Sequence, residues 1–345
     1  MKAMTGLTTL RRCAGVVLLC MSALGYAQTP APAQAAVAAD PVGQRSVSDW
    51  LLRMHEASRQ RAYVGTFVVS TGRVMSSARI WHVCDGVQQM ERVESLTGAP
   101  RSTFRHNDQV TTFLPQSRLV VVEKRESLGL FPNLLKSKDA SIAQYYRARA
   151  AGSERVAGYE ADVTALQPTD GWRFGYRVWT EKKTGLVVKV QTLDGAGQVL
   201  EQAAFSELQL DAPVSMAKLS QMMGHTQGYR IERPGLEETS ADAQGWVVKN
   251  GVPGFEPMSC YRRMVGRANA GAPTNTLQLI FSDGLASVSL FVEPFDAQRH
   301  AQPGSLAVGA THVLTQHSGN WWLSAVGEVP QQTLAAFAKG LERRP

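Results

Sequence analysis

The sequence predicts an α+β protein made of two strand-rich parts. After one amphipathic helix, short β-branched and aromatic runs separated by turn residues fill much of the chain. A polar stretch rich in breakers interrupts this pattern, and a second series of strands then ends in a helix. We therefore expect a large N-terminal antiparallel sheet, curved into an open half-barrel with helices, and a smaller C-terminal antiparallel sheet domain with a terminal helix.

The N-terminus predicts export. Lys2, Arg11 and Arg12 precede the apolar run CAGVVLLCMSALG, and small residues follow it, which is typical of a secretory signal peptide over residues 1–27. This run is too short to cross a bilayer, and no later segment is long and apolar enough, so we do not expect an integral membrane protein. The alanine- and proline-rich residues 28–44 predict a disordered leader.

The charge balance argues against a nucleic-acid-binding protein. The chain has 36 Lys and Arg against 29 Asp and Glu, a formal net charge of +7. Removal of the signal peptide takes away three positive charges, and +7 − 3 leaves +4. Both signs are mixed along the chain without a basic stripe, so no nucleic acid partner is expected.

Residues 45–210 are expected to form the larger domain. Its first helix is predicted in SVSDWLLRMHEAS, where Val47, Trp50, Leu51 and Met54 recur at helical spacing. Short strand runs bounded by turns come next, namely YVGTFVVST, SSARIWHV, VQQMERVES, TTFLP and RLVVVEK. The apolar face of the helix is expected to pack on the sheet that these strands form.

A strand meander follows in WRFGYRVW, LVVKVQTL and QVLEQAAFSEL. Connections as short as TEKKTG and DGAG make consecutive strands antiparallel neighbours. In the first of these strands, Trp172, Phe174, Tyr176 and Val178 are predicted to share one face. A meander with one apolar face, covered by one or two helices, gives the half-barrel an apolar interior.

The pattern changes in residues 211–245, which we interpret as a linker with one short helix in DAPVSMAKLSQMMGH. Residues 246–345 are then expected to form the smaller domain. Its terminal helix is predicted with Pro330 in the first turn, where proline is tolerated, and with Leu334 and Phe337 on one apolar face.

Signatures of catalysis are absent from the sequence. It contains no H-E-x-x-H, G-x-S-x-G, P-loop or C-x-x-C pattern, so we expect neither an enzyme nor a cofactor. His82 and Cys84 lie two apart on one strand and would fit a metal site or a nucleophile pair. The interpretation we prefer is a strand that ends at a turn, without metal. Whether Cys84 pairs with Cys260 stays open.

An apolar loop, ESLGLFPNLL, raises the question of what covers it. Gly129 and Pro132 prevent a regular strand or helix. Leaving its five large side chains in water would forfeit about 10 kcal/mol. The loop can fold back on the sheet, or it can form a lid that yields to an acyl chain. The candidate lid residues are Leu128, Leu130, Phe131, Leu134 and Leu135.

Four stretches stand out in the second half of the chain, namely RFGYRVWTEKKTGLVVKVQTLDGAGQVLEQ and, after the linker, VPGF, FSDGLASVSLFVEP and VGEVPQQTL. Together they resemble the RseB/MucB family, the periplasmic negative regulators of the sigma-E (AlgU-type) envelope stress response. The resemblance extends over residues 45–342. It implies a periplasmic protein whose larger domain is similar to the lipoprotein carriers LolA and LolB.

The resemblance also implies a function. Family members bind the periplasmic segment of an RseA- or MucA-type transmembrane anti-sigma factor and shield it from regulated proteolysis, which keeps the sigma factor inhibited. Lipopolysaccharide or a related lipid releases that grip, and members form dimers or higher oligomers, so a homodimer is compatible with this chain. The alternative is a periplasmic carrier of lipid or lipoprotein, for which residues 45–210 alone would suffice.

The resemblance extends to individual residues of the smaller domain. Phe281, Asp283 and Leu285 match the family's F-S-D-G-L stretch and are candidate partner-binding residues, although Asp283 also fits a tight turn. Trp321 and Trp322 are adjacent in a strand and should point to opposite faces. One of them is expected in the core, and the other could anchor the partner.

Overall fold

The computed structural model describes residues 44–124, 131, 142–267, 270–300 and 302–344. The predicted signal peptide and nearly all of the predicted leader lie outside the described residues. All described residues belong to one compact unit. Among them, no helix combines the length and the apolar composition that a bilayer span requires.

Among the described residues of the first lobe, which extends over 44–232, there are twelve strands and three α-helices. The helices are α1 (Gln44–Gln60), α2 (Ile142–Tyr145) and α3 (Met216–Gly224). The strands are β1 (Tyr63–Thr71), β2 (Val74–Cys84), β3 (Gln89–Ser95), β4 (Ser102–His106), β5 (Gln109–Leu114), β6 (Leu119–Lys124), β7 (Tyr146–Val156), β8 (Tyr159–Pro168), β9 (Gly175–Glu181), β10 (Val187–Leu193), β11 (Val199–Leu210) and β12 (Arg230–Glu232). The predicted first helix is thus present, and it buries Leu51 and Met54.

The first sheet has the order β12-β6-β5-β4-β3-β2-β1-β11-β10-β9-β8-β7. Every pairing is antiparallel except that of β12 with β6. Strands β1 to β6 lie side by side in chain order and form one half of the sheet. Strands β7 to β11 form the other half, and the pairing of β11 with β1 joins the two halves. The end strands β12 and β7 do not pair with each other, so the sheet is open. This confirms the predicted half-barrel architecture.

The strand register shows how the apolar face arises. Val69 lies opposite Ala203, Ala203 opposite Val190, and Val190 opposite Val178. Directly opposed residues in an antiparallel sheet point to the same face. These four side chains therefore form a continuous apolar row across β1, β11, β10 and β9.

One strand prediction was wrong in its boundary. β9 begins at Gly175, so Trp172 and Phe174 do not share its face with Tyr176. Asp170 Oδ1 accepts a hydrogen bond from the Trp172 backbone amide at 2.9 Å, a turn that keeps this segment out of the ladder. Trp172 instead packs against the core of the second lobe.

The second lobe, residues 236–344, has its own sheet with the order β13-β15-β16-β17-β20-β19-β18 and a separate pair, β14 with β21. Its elements are β13 (Leu236–Glu238), β14 (Trp246–Val248), β15 (Glu256–Arg267), β16 (Ala270–Ser282), β17 (Ser287–Pro294), β18 (Gly304–Val308), β19 (Thr311–Ser318), β20 (Trp321–Gly327), α4 (Gln331–Gly340) and β21 (Leu341–Arg343). Helix α4 starts directly after Pro330 and buries Leu334 and Phe337 against the sheet. The α+β class with a terminal helix is confirmed.

The segment predicted as a linker is largely structured. It contributes α3 and β12 to the first lobe and β13 to the second, and the chain crosses between the two sheets at residues 233–235. Ser215 caps α3 by accepting a hydrogen bond from the Lys218 backbone amide at 3.2 Å. Leu219 of this helix packs on β3 to β6. The domain boundaries themselves remain a prediction.

Candidate functional site

A cavity of about 410 Å³ lies on the apolar face of the first sheet. Most of its wall comes from the strands of the first lobe. Phe131 contributes from the connection between β6 and α2, and Leu285 and Glu328 contribute from the second lobe. The cavity is therefore bounded by both lobes.

The apolar part of the wall centres on aromatic rings. The Phe131 ring lies 5.4 Å from Phe67 and 5.0 Å from Phe205, measured between ring centroids. Besides Phe67 and Phe131, the apolar wall residues are Val69, Ala78, Val93, Leu166, Tyr176, Val190, Ala203 and Leu285, and Phe205 packs behind the Phe131 ring. A largely apolar cavity of this size suits one apolar chain better than a charged metabolite.

Phe131 is the one predicted lid residue that the structure describes. It is half-buried, lines the cavity and packs on Phe67 and Phe205 of the sheet. Leu128, Leu130, Leu134 and Leu135 lie outside the described residues. That these leucines form a lipid-binding lid stays a prediction.

Polar groups gather at one side of the cavity, where β2, β3 and β4 meet. The Thr97 hydroxyl accepts a hydrogen bond from the Ser77 backbone amide at 3.0 Å. Other polar wall residues of this region are Ser76, Ser95, Arg101 and Thr103, and Glu91 lies further along β3. The cavity thus combines an apolar interior with hydroxyl groups and a cation, an arrangement that suits an amphiphile.

Glu201 is a partly buried acid in the cavity wall. Burial raises the pKa of its carboxyl, and the charge of Glu328 raises it further. Hydrogen bonds from the Thr71 hydroxyl, at 3.4 Å, and from the Ala310 backbone act in the opposite direction. The neutral form of Glu201 is therefore more favoured than in water, and a neutral carboxyl can donate a hydrogen bond.

The two lobes meet at a buried ion pair beside the cavity. Arg173 Nε donates to Asp283 Oδ2 at 2.8 Å, and both side chains are 0% exposed. Arg173 also binds Asp170 and donates to the Pro253 carbonyl at 2.6 Å, while the Tyr146 hydroxyl donates to Asp283 Oδ2 at 3.0 Å. Removing one partner from such a pair costs about 3 to 5 kcal/mol, because the other charge stays buried.

Asp283 also organises the predicted tight turn. Its Oδ1 accepts hydrogen bonds from the backbone amides of Leu285 at 3.0 Å and Ala286 at 2.7 Å. Gly284 has φ of 96°, a conformation that favours glycine. The S-D-G-L turn therefore links the ion pair on one side to the cavity wall residue Leu285 on the other.

The predicted partner-binding residues are mostly buried. Phe281, Asp283, Leu285 and Trp322 are 7%, 1%, 5% and 6% exposed, respectively. Phe281 packs on Phe337 in the second lobe, and Leu285 packs on the first lobe. In this conformation these four residues hold the fold and the lobes together, so contact with a partner stays a prediction that would require uncovering them.

The two adjacent tryptophans differ in burial. Trp322 is buried, with its ring stacked on His300 at 4.9 Å. Trp321 is half-buried and packs edge-on against Trp246 at 5.4 Å, with the Arg343 guanidinium 4.7 Å from its ring. Of the two rings, only that of Trp321 is partly exposed and could contact a partner.

His82 and Cys84 lie at the end of a strand. His82 is buried, stacks on Tyr63 at 4.9 Å and shares a hydrogen bond of 2.8 Å between Nδ1 and the Arg61 carbonyl oxygen. Burial lowers the pKa of its imidazole. The Cys84 and Cys260 thiols are both free. Within the described part of the chain, no three His, Cys, Asp or Glu residues are arranged to hold a metal.

Two family models cover most of the chain. The MucB/RseB N-terminal domain matches residues 46–223, and the MucB/RseB C-terminal domain matches residues 240–342. The chain belongs to the MucB/RseB family. The resemblance inferred from the sequence is thereby confirmed.

Named relatives and solved structures agree with this family. The sigma factor AlgU regulatory protein MucB of Pseudomonas aeruginosa is 30% identical over 297 residues, covering 84% of this chain and 89% of MucB. The sigma-E factor regulatory protein RseB of Salmonella typhimurium is 26% identical and covers 85% of this chain and 90% of RseB. A crystal structure of MucB in complex with MucA(peri) matches with a TM-score of 0.64 and 26% identity, over 86% of this chain and 99% of that one.

Membership in the MucB/RseB family confirms the prediction of a regulatory protein and not an enzyme.

Sequence reasoning missed two features of the site. Arg173 gave a weak signal, a charged residue between two aromatic residues in WRFG, which hinted at a buried partner. Glu201 and Glu328 gave none, because each reads as an ordinary polar position near a strand end.

Proposed function

We propose that this protein is a periplasmic regulator that binds the periplasmic segment of a transmembrane anti-sigma factor of the RseA/MucA type. The observation that carries this proposal is the match over both lobes to MucB structures, one solved with MucA(peri) and another from Pseudomonas aeruginosa described as the MucA/MucB complex, the latter with a TM-score of 0.66. Family membership over residues 46–223 and 240–342 supports it.

Binding would act by occlusion. A segment held on the protein is inaccessible to a protease, so the anti-sigma factor survives and the envelope-stress sigma factor stays inhibited. No catalytic group is needed for this role. A homodimer is compatible with it, and size-exclusion chromatography with light scattering measures that state directly.

Lipid would oppose binding of the anti-sigma segment. The cavity of about 410 Å³ has apolar walls and a hydroxyl-rich side, which suits an acyl chain with a polar end, as in lipopolysaccharide or a related lipid. For lipid to release the anti-sigma segment, the two ligands must prefer different states of the protein. Each tenfold loss of peptide affinity corresponds to about 1.4 kcal/mol of coupling.

A carrier of lipid or lipoprotein is the second candidate, because the cavity alone would serve that role. This alternative predicts that the first lobe binds lipid without the second. The contribution of Leu285 and Glu328 to the cavity wall favours the regulator, since a carrier has no need of a second lobe at its cavity.

The deciding experiment is calorimetric titration of residues 28–345 with the periplasmic segment of the host's anti-sigma factor, with and without lipopolysaccharide. We expect binding that lipopolysaccharide weakens. Absence of peptide binding, together with lipid binding by the first lobe alone, would leave the carrier. Cell fractionation tests the periplasmic location independently.

A further inference from the structure

Exposed apolar side chains gather at one end of the molecule. Single exposed apolar residues are normal on a protein surface, whereas a group of them marks an interaction site. Ten large apolar side chains are exposed in the described part of the chain, and six of these lie at the end of the first sheet where β1 passes into β2, or on the adjoining strand β18. This group, the apolar rim, consists of Val74, Met75, Leu96, Val199, Leu306 and Val308.

Two neighbouring hairpins contribute the first part of the apolar rim. Val74 and Met75 follow the turn of the β1–β2 hairpin, and the Leu96 backbone amide donates to the Ser77 carbonyl at 2.9 Å, so the β3–β4 connection lies beside that hairpin. All three apolar side chains are more than half exposed. Successive residues of a strand point to opposite faces, so the exposure of both Val74 and Met75 means that the hairpin tip projects into solvent.

Strands β11 and β18 extend the apolar rim. The register places Glu201 opposite Thr71 at the end of β1, so Val199 at the start of β11 lies close to the same hairpin. In the second lobe, Gly309 follows β18 and lies so close to Thr71 that a Cβ atom would collide with the threonine methyl group. Val308, the last residue of β18, is therefore next to the first lobe, and it is exposed.

The exposed charges among these side chains are positive. Arg73 occupies the β1–β2 turn and Arg101 ends the β3–β4 connection, and both are exposed. The acids of the same hairpins are already bound. Asp194 Oδ1 accepts hydrogen bonds at 2.9 and 2.8 Å from backbone amides of its own turn, and Glu94 pairs with Arg92 at 2.9 Å. The tips thus combine apolar side chains with cations.

The cavity opens at the same end of the sheet. Three of its wall residues are exposed, namely Ser76, Thr97 and Arg101. All three belong to the β1–β2 hairpin or to the β3–β4 connection. The apolar rim therefore borders the entrance to an apolar cavity.

A lipid surface fits the apolar rim better than a protein partner does. The apolar side chains stand on separate turns and not in one groove, so each can enter the headgroup region of a bilayer by itself. Guanidinium groups between them suit the phosphates of anionic lipids, which also attract cations over a longer range. The transmembrane partner proposed above would hold the protein near such a surface.

We propose that the apolar rim, with Arg73 and Arg101, is a docking surface for an anionic phospholipid bilayer. Docking places the cavity entrance on the membrane, so a lipid can enter without crossing water. This entry path rests on the lipid response proposed above. The docking itself does not, because it follows from the exposed side chains and charges of the hairpin tips.

The test measures binding of the mature chain, residues 28–345, to vesicles by co-sedimentation, without lipopolysaccharide and without the anti-sigma segment. Vesicles of phosphatidylglycerol and phosphatidylethanolamine are compared with vesicles of phosphatidylcholine alone. We expect affinity about tenfold higher for the anionic vesicles, and this affinity should fall as the salt concentration rises. Absence of binding to anionic vesicles would overturn the proposal.

The apolar contribution is tested by replacing the tip of the β1–β2 hairpin. Val74→Gln combined with Met75→Gln should lower vesicle affinity about tenfold. Val87→Gln is the matched control, because Val87 is an exposed valine in the β2–β3 turn at the opposite end of the sheet. It should bind vesicles like the wild type. Circular dichroism verifies folding, and an equal loss in both variants would overturn the assignment to this end.

The charge contribution has a control of equal net charge. Arg73→Gln combined with Arg101→Gln should abolish the preference for anionic vesicles. Lys182→Gln combined with Lys183→Gln removes the same charge from the exposed β9–β10 turn, at the opposite end of the sheet, and should keep that preference. Equal behaviour of the two double variants would show that only net charge matters and would contradict a defined docking surface.

A fluorescent label locates the contact directly. Bimane is attached at Met75→Cys or at Val87→Cys, in a background with Cys84→Ser and Cys260→Ala. With anionic vesicles we expect a blue shift of the emission at position 75 and none at position 87. A shift at position 87 alone, or at neither position, would contradict the proposed orientation.

Palmitate separates docking from occupancy of the cavity. Its binding in solution is measured by displacement of a fluorescent fatty acid. The variant with Val74→Gln and Met75→Gln should bind palmitate like the wild type while it loses vesicle binding. An equal loss of both would mean that these residues belong to the cavity, which would overturn a separate docking surface.

A protein partner at the apolar rim gives a different result. The same variant would then lose affinity for the anti-sigma segment, or change its mass in solution by light scattering, while vesicle binding persists, and this outcome would overturn the proposal. The docking and the proposed function fail separately. Loss of vesicle binding does not alter the titration of the anti-sigma segment, and a failed titration does not alter the vesicle result.

Discussion

Each lobe has a sheet with one apolar face, but the two lobes cover that face differently. In the second lobe, α4 fills the face, with Leu334 and Phe337 packed among the strands. In the first lobe, Leu51 and Met54 of α1 pack in the same cluster as the cavity-wall residues, α3 packs on β3 to β6, and a cavity of about 410 Å³ remains. Protein interiors are otherwise close-packed, so a cavity left on the apolar face of the first sheet favours a binding role over poor packing.

The contrast predicts that a Phe→Ala substitution lowers the free energy of unfolding by different amounts in the two lobes. Phe337→Ala in the filled core should lower the free energy of unfolding by about 3 to 5 kcal/mol, because the neighbours Phe255 and Phe281 cannot close the space. Urea denaturation followed by tryptophan fluorescence and circular dichroism measures this. A cost below about 1 kcal/mol would contradict the tight packing of the second lobe.

A substitution that fills the cavity of the first lobe tests the same difference between the lobes. Ala203→Phe adds a ring to the apolar row of the first sheet and should lower palmitate affinity at least tenfold, about 1.4 kcal/mol. The free energy of unfolding should change less than in Phe337→Ala, because the added ring enters existing space. Fatty-acid displacement and urea denaturation give the two values. An unchanged palmitate affinity would show that the chain does not occupy this cavity.

Phe131→Ala is the counterpart of Phe337→Ala at the cavity. The Phe131 ring is half-buried and contacts Phe67 and Phe205, so its loss should cost only about 1 kcal/mol of stability. Palmitate binding should weaken, while binding of the anti-sigma segment should persist. Loss of stability as large as that of Phe337→Ala would mean that Phe131 is a core residue and not a cover.

The smallest expected effect concerns pH. Because the pKa of Glu201 is raised in the folded protein, folding is favoured with this carboxyl protonated, and that contribution to stability is lost as pH rises through the raised pKa. Glu201→Gln should therefore gain stability relative to the wild type as pH rises from 4 to neutral, with most of the gain above the ordinary carboxyl pKa. Denaturation at several pH values checks the sign, and a gain that grows toward acid would contradict it.

Local patterns in the sequence were enough to predict much of the fold. Leu51 and Met54 recur at helical spacing and face the core of the first lobe. Turn residues such as Asp194 and Gly197 placed β10 beside β11, because short connections force antiparallel pairing. The boundary of β9 could not be predicted from alternation, since the side chain of Asp170 competes with the ladder for the Trp172 amide.

The sequence by itself determined the fold class, the terminal helix after Pro330 and the turn at Asp283 and Gly284, because each depends on neighbours a few residues away. Only the tertiary structure decided that Asp283 pairs with Arg173, which lies 110 positions earlier, and that Leu285 closes a cavity built on the other lobe. Contacts between separate sheets do not produce a repeating pattern of apolar residues in the sequence. Their partners, and the volume left between them, exist only once both lobes have folded and docked.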